Sequence, residues 1–268
     1  MNITFRVCFL ACMLMFGSCA TNPFTGKQTM ALVSNDQLFP ASFQQYDAFL
    51  KEHKVVKGTE DARRITRIGE RIAKAAERYL NANGYVGYLK GYQWEYHLVD
   101  SEEKNAWCMP GGKIVFYTGI LPIAGSDAGI AAIMGHEVAH ALANHGQQRM
   151  SAAYIQQGIA IAGNVAITDD QSRDLFNQYY GIGSNVAGML PFSRSHEAEA
   201  DRIGIVLMAI AGYDPAVTPE LWKRMESSNV PELLATHPSN ASRISSLNAL
   251  VPNARAEAKK FGVTSFTE

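Results

Sequence analysis

The stretch Met134-Gly135-His136-Glu137-Val138-Ala139-His140 decides how this chain is read. On an α-helix, positions i and i+4 lie one above the other on one face, with Cβ atoms roughly 5–6 Å apart, so the His136 and His140 imidazoles can reach a single metal ion. Glu137 then stands beside that ion without ligating it, free to take a proton from a water the metal activates. That is the general-base role in the His-Glu-x-x-His pattern of metalloproteases. The flanks predict a helix. Ser126-Asp127 supplies a start, Ile130, Ile133, Met134, Val138 and Leu142 form an apolar stripe near period 3.6, and Asn144-His145-Gly146 supplies a stop. Such a helix is expected to be buried on one side. Two histidines and a glutamate amid alanine, isoleucine and methionine would be costly to bury without a partner.

A catalytic zinc site takes three protein ligands and keeps one position open, so a third ligand must come from elsewhere in the chain. The other dense cluster of ligand-type side chains is Ser193-Arg194-Ser195-His196-Glu197-Ala198-Glu199-Ala200-Asp201, which leads into an apolar helical run over residues 203–210. Glu197 and Asp201 would share a helix face at spacing four. One carboxylate could bind the metal while the other orients a ligand histidine through its free ring N–H. Spacing alone leaves His196 and Glu199 as alternatives. Without the first motif, the plain reading would be a solvated acidic helix start, favoured by the helix dipole.

Together the two blocks resemble the zinc metallopeptidase family that includes HtpX, the CAAX-prenyl proteases and the periplasmic protease BepA, whose members carry His-Glu-x-x-His and a downstream Glu-x-x-x-Asp block preceded by Ser-Arg. The resemblance implies one Zn2+ per chain held by His136, His140 and Glu197, with Glu137 as catalytic base and Asp201 orienting a ligand. It extends to Asn105-Ala106-Trp107-Cys108-Met109-Pro110-Gly111-Gly112 and residues 114–121, which look like the family's strand before the active-site helix. Independently, Ile114-Val115-Phe116-Tyr117-Thr118 is β-branched and aromatic between glycines and reads as a strand. By resemblance this would be an edge strand that holds the substrate backbone through main-chain hydrogen bonds. Thr236-His237-Pro238 followed by Arg243 is similar to the family's His-Pro block, which implies that His237 can approach the zinc as a regulatory fourth ligand. For the oxyanion donor, Arg243 and Tyr180 stay open as alternatives.

His145, His53 and His97 have no ligand partner at a meaningful spacing. His145 reads as a helix-end residue near free carbonyls. Arg63, Arg64, Arg67, Arg71, Lys74 and Arg78 form a basic stripe opposite Ile65, Ile68, Ile72, Ala76 and Tyr79, most simply a solvated face. Residues 151–167 carry no charge, but Gln156, Gln157, Gly158, Gly163 and Asn164 interrupt them, and they fall short of the roughly 20 apolar residues a membrane span needs. A helix followed by an active-site cover over residues 168–190 is expected.

The N-terminus holds Arg6 and an apolar run over residues 7–16, too short to span a bilayer, ending in Gly17-Ser18-Cys19. This is similar to a bacterial lipoprotein leader. It implies lipidation at Cys19, with Ala20 pointing to the periplasmic side of the outer membrane. Cys8 and Cys12 would leave with the leader, so Cys108 alone remains and no disulfide framework is expected. Cys108 reads as a small buried hydrophobe.

The formal charge of −1 gives no indication of nucleic-acid binding. The expected organisation is a leader over residues 1–18, a lipid-anchored segment and linker over 19–58, a zinc metallopeptidase domain over 59–252 and a tail over 253–268. The expected fold is mainly α with a small β-sheet (α+β), from residues 92–99 and 114–118, gluzincin-like by resemblance. The expected function is a zinc endopeptidase acting in periplasmic and outer-membrane quality control on misfolded or misassembled proteins. The alternative is a zinc-bound, chaperone-like binding lipoprotein with little proteolysis.

Overall fold

The computed structural model describes residues 19–166, 190–228, 237 and 241–268. The expected leader, most of the expected active-site cover and Tyr180 lie outside them. The architecture has two small sheets and is mainly α with little β, as the sequence suggested. Strand β1 (Cys19–Thr21) pairs antiparallel with β2 (Gln28–Met30), and helix α1 (Asn35–Glu52) follows. The main sheet has the order β3-β4-β6-β5, from β3 (Val55–Val56), β4 (Glu95–Val99), β6 (Lys113–Tyr117) and β5 (Ala106–Met109). The β4–β6 pair is parallel and its two flanking pairs are antiparallel.

Every residue of β6 is buried, because both its faces are covered. Successive side chains of a strand point to opposite faces. Ile114 and Phe116 enter the main helical core, while Val115 and Tyr117 join Tyr46 of α1 in a second cluster. The strand predicted at 114–118 is therefore interior, not an edge. The edge next to it is β5, drawn from the Ala106-Trp107-Cys108-Met109 block, which packs beside the motif helix, while β3 forms the opposite edge. The sequence misplaced the edge because an unbroken apolar run shows that a strand is buried but not which neighbour lies on each side.

Helix α2 (Glu60–Ala82) is capped by Thr59, whose hydroxyl accepts from the Ala62 N–H, and buries Ile65, Ile68, Ile72 and Ala76. Its basic stripe is not simply solvated. Arg64 and Arg67 pair with Asp127, at 2.8 and 3.2 Å, Arg71 donates to the Ala211 carbonyl, and Arg78 donates to the Phe261 carbonyl. A stripe that looks like solvent chemistry in sequence thus ties α2 to three other parts of the chain.

After a short α3 (Leu121–Ala124), the motif helix α4 runs over Asp127–Leu142. Every residue from Ala128 to Leu142 is buried, so this helix is core all round rather than on one side. Ser126 caps it, its Oγ accepting from the Gly129 N–H at 3.1 Å. Ser126→Ala is expected to cost about 1 kcal/mol of stability, read from denaturant unfolding. An unchanged midpoint would mean that the cap contributes nothing.

Helices α5 (His145–Ala166), α6 (Leu190–Ile210), α7 (Val217–Ser227) and α8 (Ala241–Lys260) complete the described fold. Helix α6 packs against both α4 and α8. Residues 19–58 are folded onto the rest: Ser42 Oγ donates to the Pro110 carbonyl, and Tyr46 Oη to that of Ile114. Helix α8 runs through Pro252 to Lys260. Among the described residues no single helix is long and apolar enough to cross a membrane.

Candidate metal centre

Two glycines set the distance between α4 and α6. A Cβ on Gly135 would lie 2.7 Å from the Gly204 carbonyl oxygen, and one on Gly204 would lie 2.8 Å from the Gly135 carbonyl carbon and the His136 nitrogen. The helices therefore touch backbone to backbone next to His136, and carboxylates on α6 reach the histidines of α4. His136, His140, Glu197 and His237 converge there, all buried, and are the group of donors placed to hold a metal ion.

The spacing of the donors is that of a coordination shell. His136 Nε2 lies 3.1 Å from His140 Nε2, 3.3 Å from Glu197 Oε2 and 3.3 Å from His237 Nδ1. His140 Nε2 lies 3.2 Å from Glu197 Oε1, and both Glu197 oxygens lie 3.1 Å from His237 Nδ1. With zinc–nitrogen bonds of about 2.0–2.1 Å, tetrahedral donors stand about 3.3–3.4 Å apart. Ring nitrogens whose lone pairs meet at this distance repel unless positive charge lies between them. Three imidazoles and one carboxylate are a donor set that zinc accepts, so the residues present fit the ion.

Behind these donors lies a layer of charged and aromatic partners. His136 Nδ1 is 3.0 Å from Asp201 Oδ1. Arg243 donates to Asp201 from Nε at 2.6 Å and from Nη2 at 2.8 Å, pairs with Glu197 at 3.0 Å, and lays its guanidinium 3.6 Å over the Trp222 ring. Burial opposes ionisation of Glu197, yet His136, His140 and His237 hold its carboxyl far below the usual carboxylate range. Burial works against Asp201 too, and Arg243 and His136 outweigh it. His136, despite burial, is pushed up to about 9 by Asp201 and Glu197, whereas burial takes His140 well below an ordinary histidine. Only the neutral imidazole can ligate, so metal binding here is coupled to proton release.

Glu137 is buried beside this group with Oε1 3.4 Å from His237 Nε2. Of the alternatives left open by spacing, neither His196 nor Glu199 belongs to the convergent set. His145 is a helix-end residue, but it does more than meet free carbonyls. It is fully buried, begins α5, and sits with Nδ1 2.8 Å from His140 Nδ1 and Nε2 3.0 Å from Glu199 Oε2. The signal was in the sequence as a histidine five positions after His140, a spacing that would be unremarkable on a continuous helix. It becomes meaningful because Asn144 takes a left-handed φ of 55° and turns the chain there. Cys108 is half-buried on the edge strand with its thiol pushed well up by burial, so it is not a reactive thiolate.

The model of peptidase family M48 matches residues 59–251. The chain is 30% identical over 246 residues to "Metalloendopeptidase OMA1, mitochondrial" of Homo sapiens, covering 87% of this chain and 46% of that protein. It is 31% identical over 191 residues to the "Mitochondrial metalloendopeptidase OMA1" of Schizosaccharomyces pombe, 69% of this chain and 54% of that one. With the "Beta-barrel assembly-enhancing protease" of Escherichia coli it shares 27% over 181 residues, 62% of this chain and 37% of that protein. The chain spans about half the length of the first two of these relatives. The expected place on a bacterial outer membrane is overturned, because the relatives aligned over most of the chain are mitochondrial proteins by name. That expectation rested on a short apolar run before Cys19, a pattern too brief to assign a compartment. The match over residues 59–251, with the metal-binding geometry at its centre, places the chain in peptidase family M48.

Proposed function

We propose that the chain is a zinc-dependent endopeptidase that hydrolyses peptide bonds in extended segments of misfolded or misassembled proteins. The observation that carries this reading is the convergence of His136, His140 and Glu197 within a coordination shell, with Glu137 beside it and a sheet edge alongside. In this reading those three residues hold the ion and Asp201 orients His136. When bound, zinc polarises the scissile carbonyl and acidifies water. Glu137 accepts a proton from the attacking water and delivers it to the leaving amine. Strand β5 takes the substrate as an added strand, which selects extended chain over folded protein because the bonds are main-chain ones. The name of the E. coli relative supports a quality-control role. Arg243 is read as the clamp on Asp201 and Glu197 rather than as the oxyanion donor, because its Nε, Nη1 and Nη2 all face those carboxylates.

The test is cleavage of an unfolded model protein by the full chain before and after zinc is stripped with a chelator. Activity is expected to vanish with the metal and return with it. Zinc-loaded protein that retains the substrate uncut would favour the binding-module alternative instead.

His237 is assigned a restraining role: its Nδ1 completes the donor set and its Nε2 faces Glu137, the place a substrate carbonyl and water need. His237→Ala is expected to raise turnover severalfold with zinc retained. Unchanged or lower turnover would remove the restraint from the scheme.

A further inference from the structure

His140 and His136 are oriented by different means. His136 meets a carboxylate directly, through Asp201. His140 turns its Nε2 toward the donor group and its Nδ1 toward a second histidine. If Nε2 presents a lone pair to the metal, the proton of the neutral ring is on Nδ1, and His140 donates it to His145 Nδ1 across 2.8 Å. His145 must then carry its own proton on Nε2, which donates to Glu199 Oε2 at 3.0 Å. Each tautomer forces the next, and the chain ends on an acceptor-only carboxylate.

The setting holds this relay in place. The His145 ring stacks on His196 with centroids 4.0 Å apart and planes 10° from parallel, and His196 Nε2 donates to Gln148 Oε1 at 3.2 Å. Glu199 lies between Glu197 and Asp201 on α6, so one helix supplies a donor and the two carboxylates that end the hydrogen-bond chains of both motif histidines.

We propose that His145 is a positioning residue of the metal centre: it transmits the Glu199 carboxylate to His140 and holds that ring with Nε2 aimed at zinc. The inference rests on the reading of His140 as a ligand. It assigns a use to Glu199 that neither of the two motifs implies.

The experiment measures the zinc affinity of the full chain by chelator competition, and the visible absorption of the cobalt-substituted protein. The variants are His145→Phe, which keeps a ring for the stack but has no acceptor, and His145→Asn, whose side-chain oxygen can stand in for Nδ1. His145→Phe is expected to weaken zinc binding about ten- to hundredfold and to shift the cobalt bands, with His145→Asn recovering most of the affinity. Wild-type affinity in His145→Phe would overturn the proposal. So would a His145→Asn protein as weak as His145→Phe, since packing alone would then explain the loss. If His145→Phe does not fold, Glu199→Gln decides: a weaker zinc site is expected, and no change overturns the relay. A wild-type chain that holds no zinc would instead overturn the underlying reading of His140, and the relay with it.

Discussion

Glu137→Gln is expected to lower cleavage of an unfolded protein by about two to four orders of magnitude, the usual worth of a positioned general base, while bound zinc stays at the wild-type level. Glutamine has the shape of the glutamate and can keep a hydrogen bond toward His237 Nε2, 3.4 Å away, but it cannot take a proton from water. Glu137 is not part of the convergent donor group, so its charge is not needed to hold the ion. The pair of readouts separates chemistry from metal binding. If zinc leaves with the activity, Glu137 belongs to the binding shell and the base must be sought elsewhere. If activity persists with zinc bound, the base assignment is wrong.

Much of the centre could be read from sequence because its parts are local. His136 and His140 share a helix turn, and the cap, stripe and stop around them are short-range signals that the folded chain reproduces in Ser126 and Asn144. Glu197 and Asp201 could be singled out as a pair at spacing four, though choosing Glu197 over His196 or Glu199 required resemblance to a family. What could not be read depends on long-range packing. Arg64 and Arg67 look like solvent residues until Asp127, some sixty positions away in the chain, is folded against them. The strand at 114–118 looked like an edge, and only the pairing of Ala106 with Phe116 and of Cys108 with Ile114 reveals that the outer position belongs to its neighbour. The contact of His145 with His140 is invisible to linear spacing, which assumes one straight helix, because a single left-handed residue turns the chain and brings the two rings edge to face. The expected compartment failed for a different reason, since a compartment is not a packing property and a brief apolar run carries little information about it.

The contact between Gly135 and Gly204 carried no weight in the sequence, yet the second large effect is expected there. In Gly204→Ala the added methyl would stand 2.8 Å from the Gly135 carbonyl carbon and the His136 nitrogen, both backbone atoms at the centre of a helix, where ordinary contacts begin at 3.4 Å. Neither can move aside as a side-chain tip would, so α4 and α6 must separate by several tenths of an ångström. Overpacking of this kind costs about 1–3 kcal/mol of stability. The functional consequence is larger, because zinc–ligand distances tolerate only about 0.2 Å, and Glu197 rides on one helix while His136 and His140 ride on the other. Gly204→Ala is therefore expected to lose most of its zinc and its activity while still folding. Gly158→Ala is the matched control: that glycine lies on the exposed side of α5 with nothing within 4 Å of a new Cβ, so alanine should stabilise the helix by about 0.5–1 kcal/mol and leave the metal untouched. Zinc quantified in the two purified proteins, beside their unfolding midpoints, decides the matter. Full zinc occupancy in Gly204→Ala would show that the helix crossing does not set the ligand geometry.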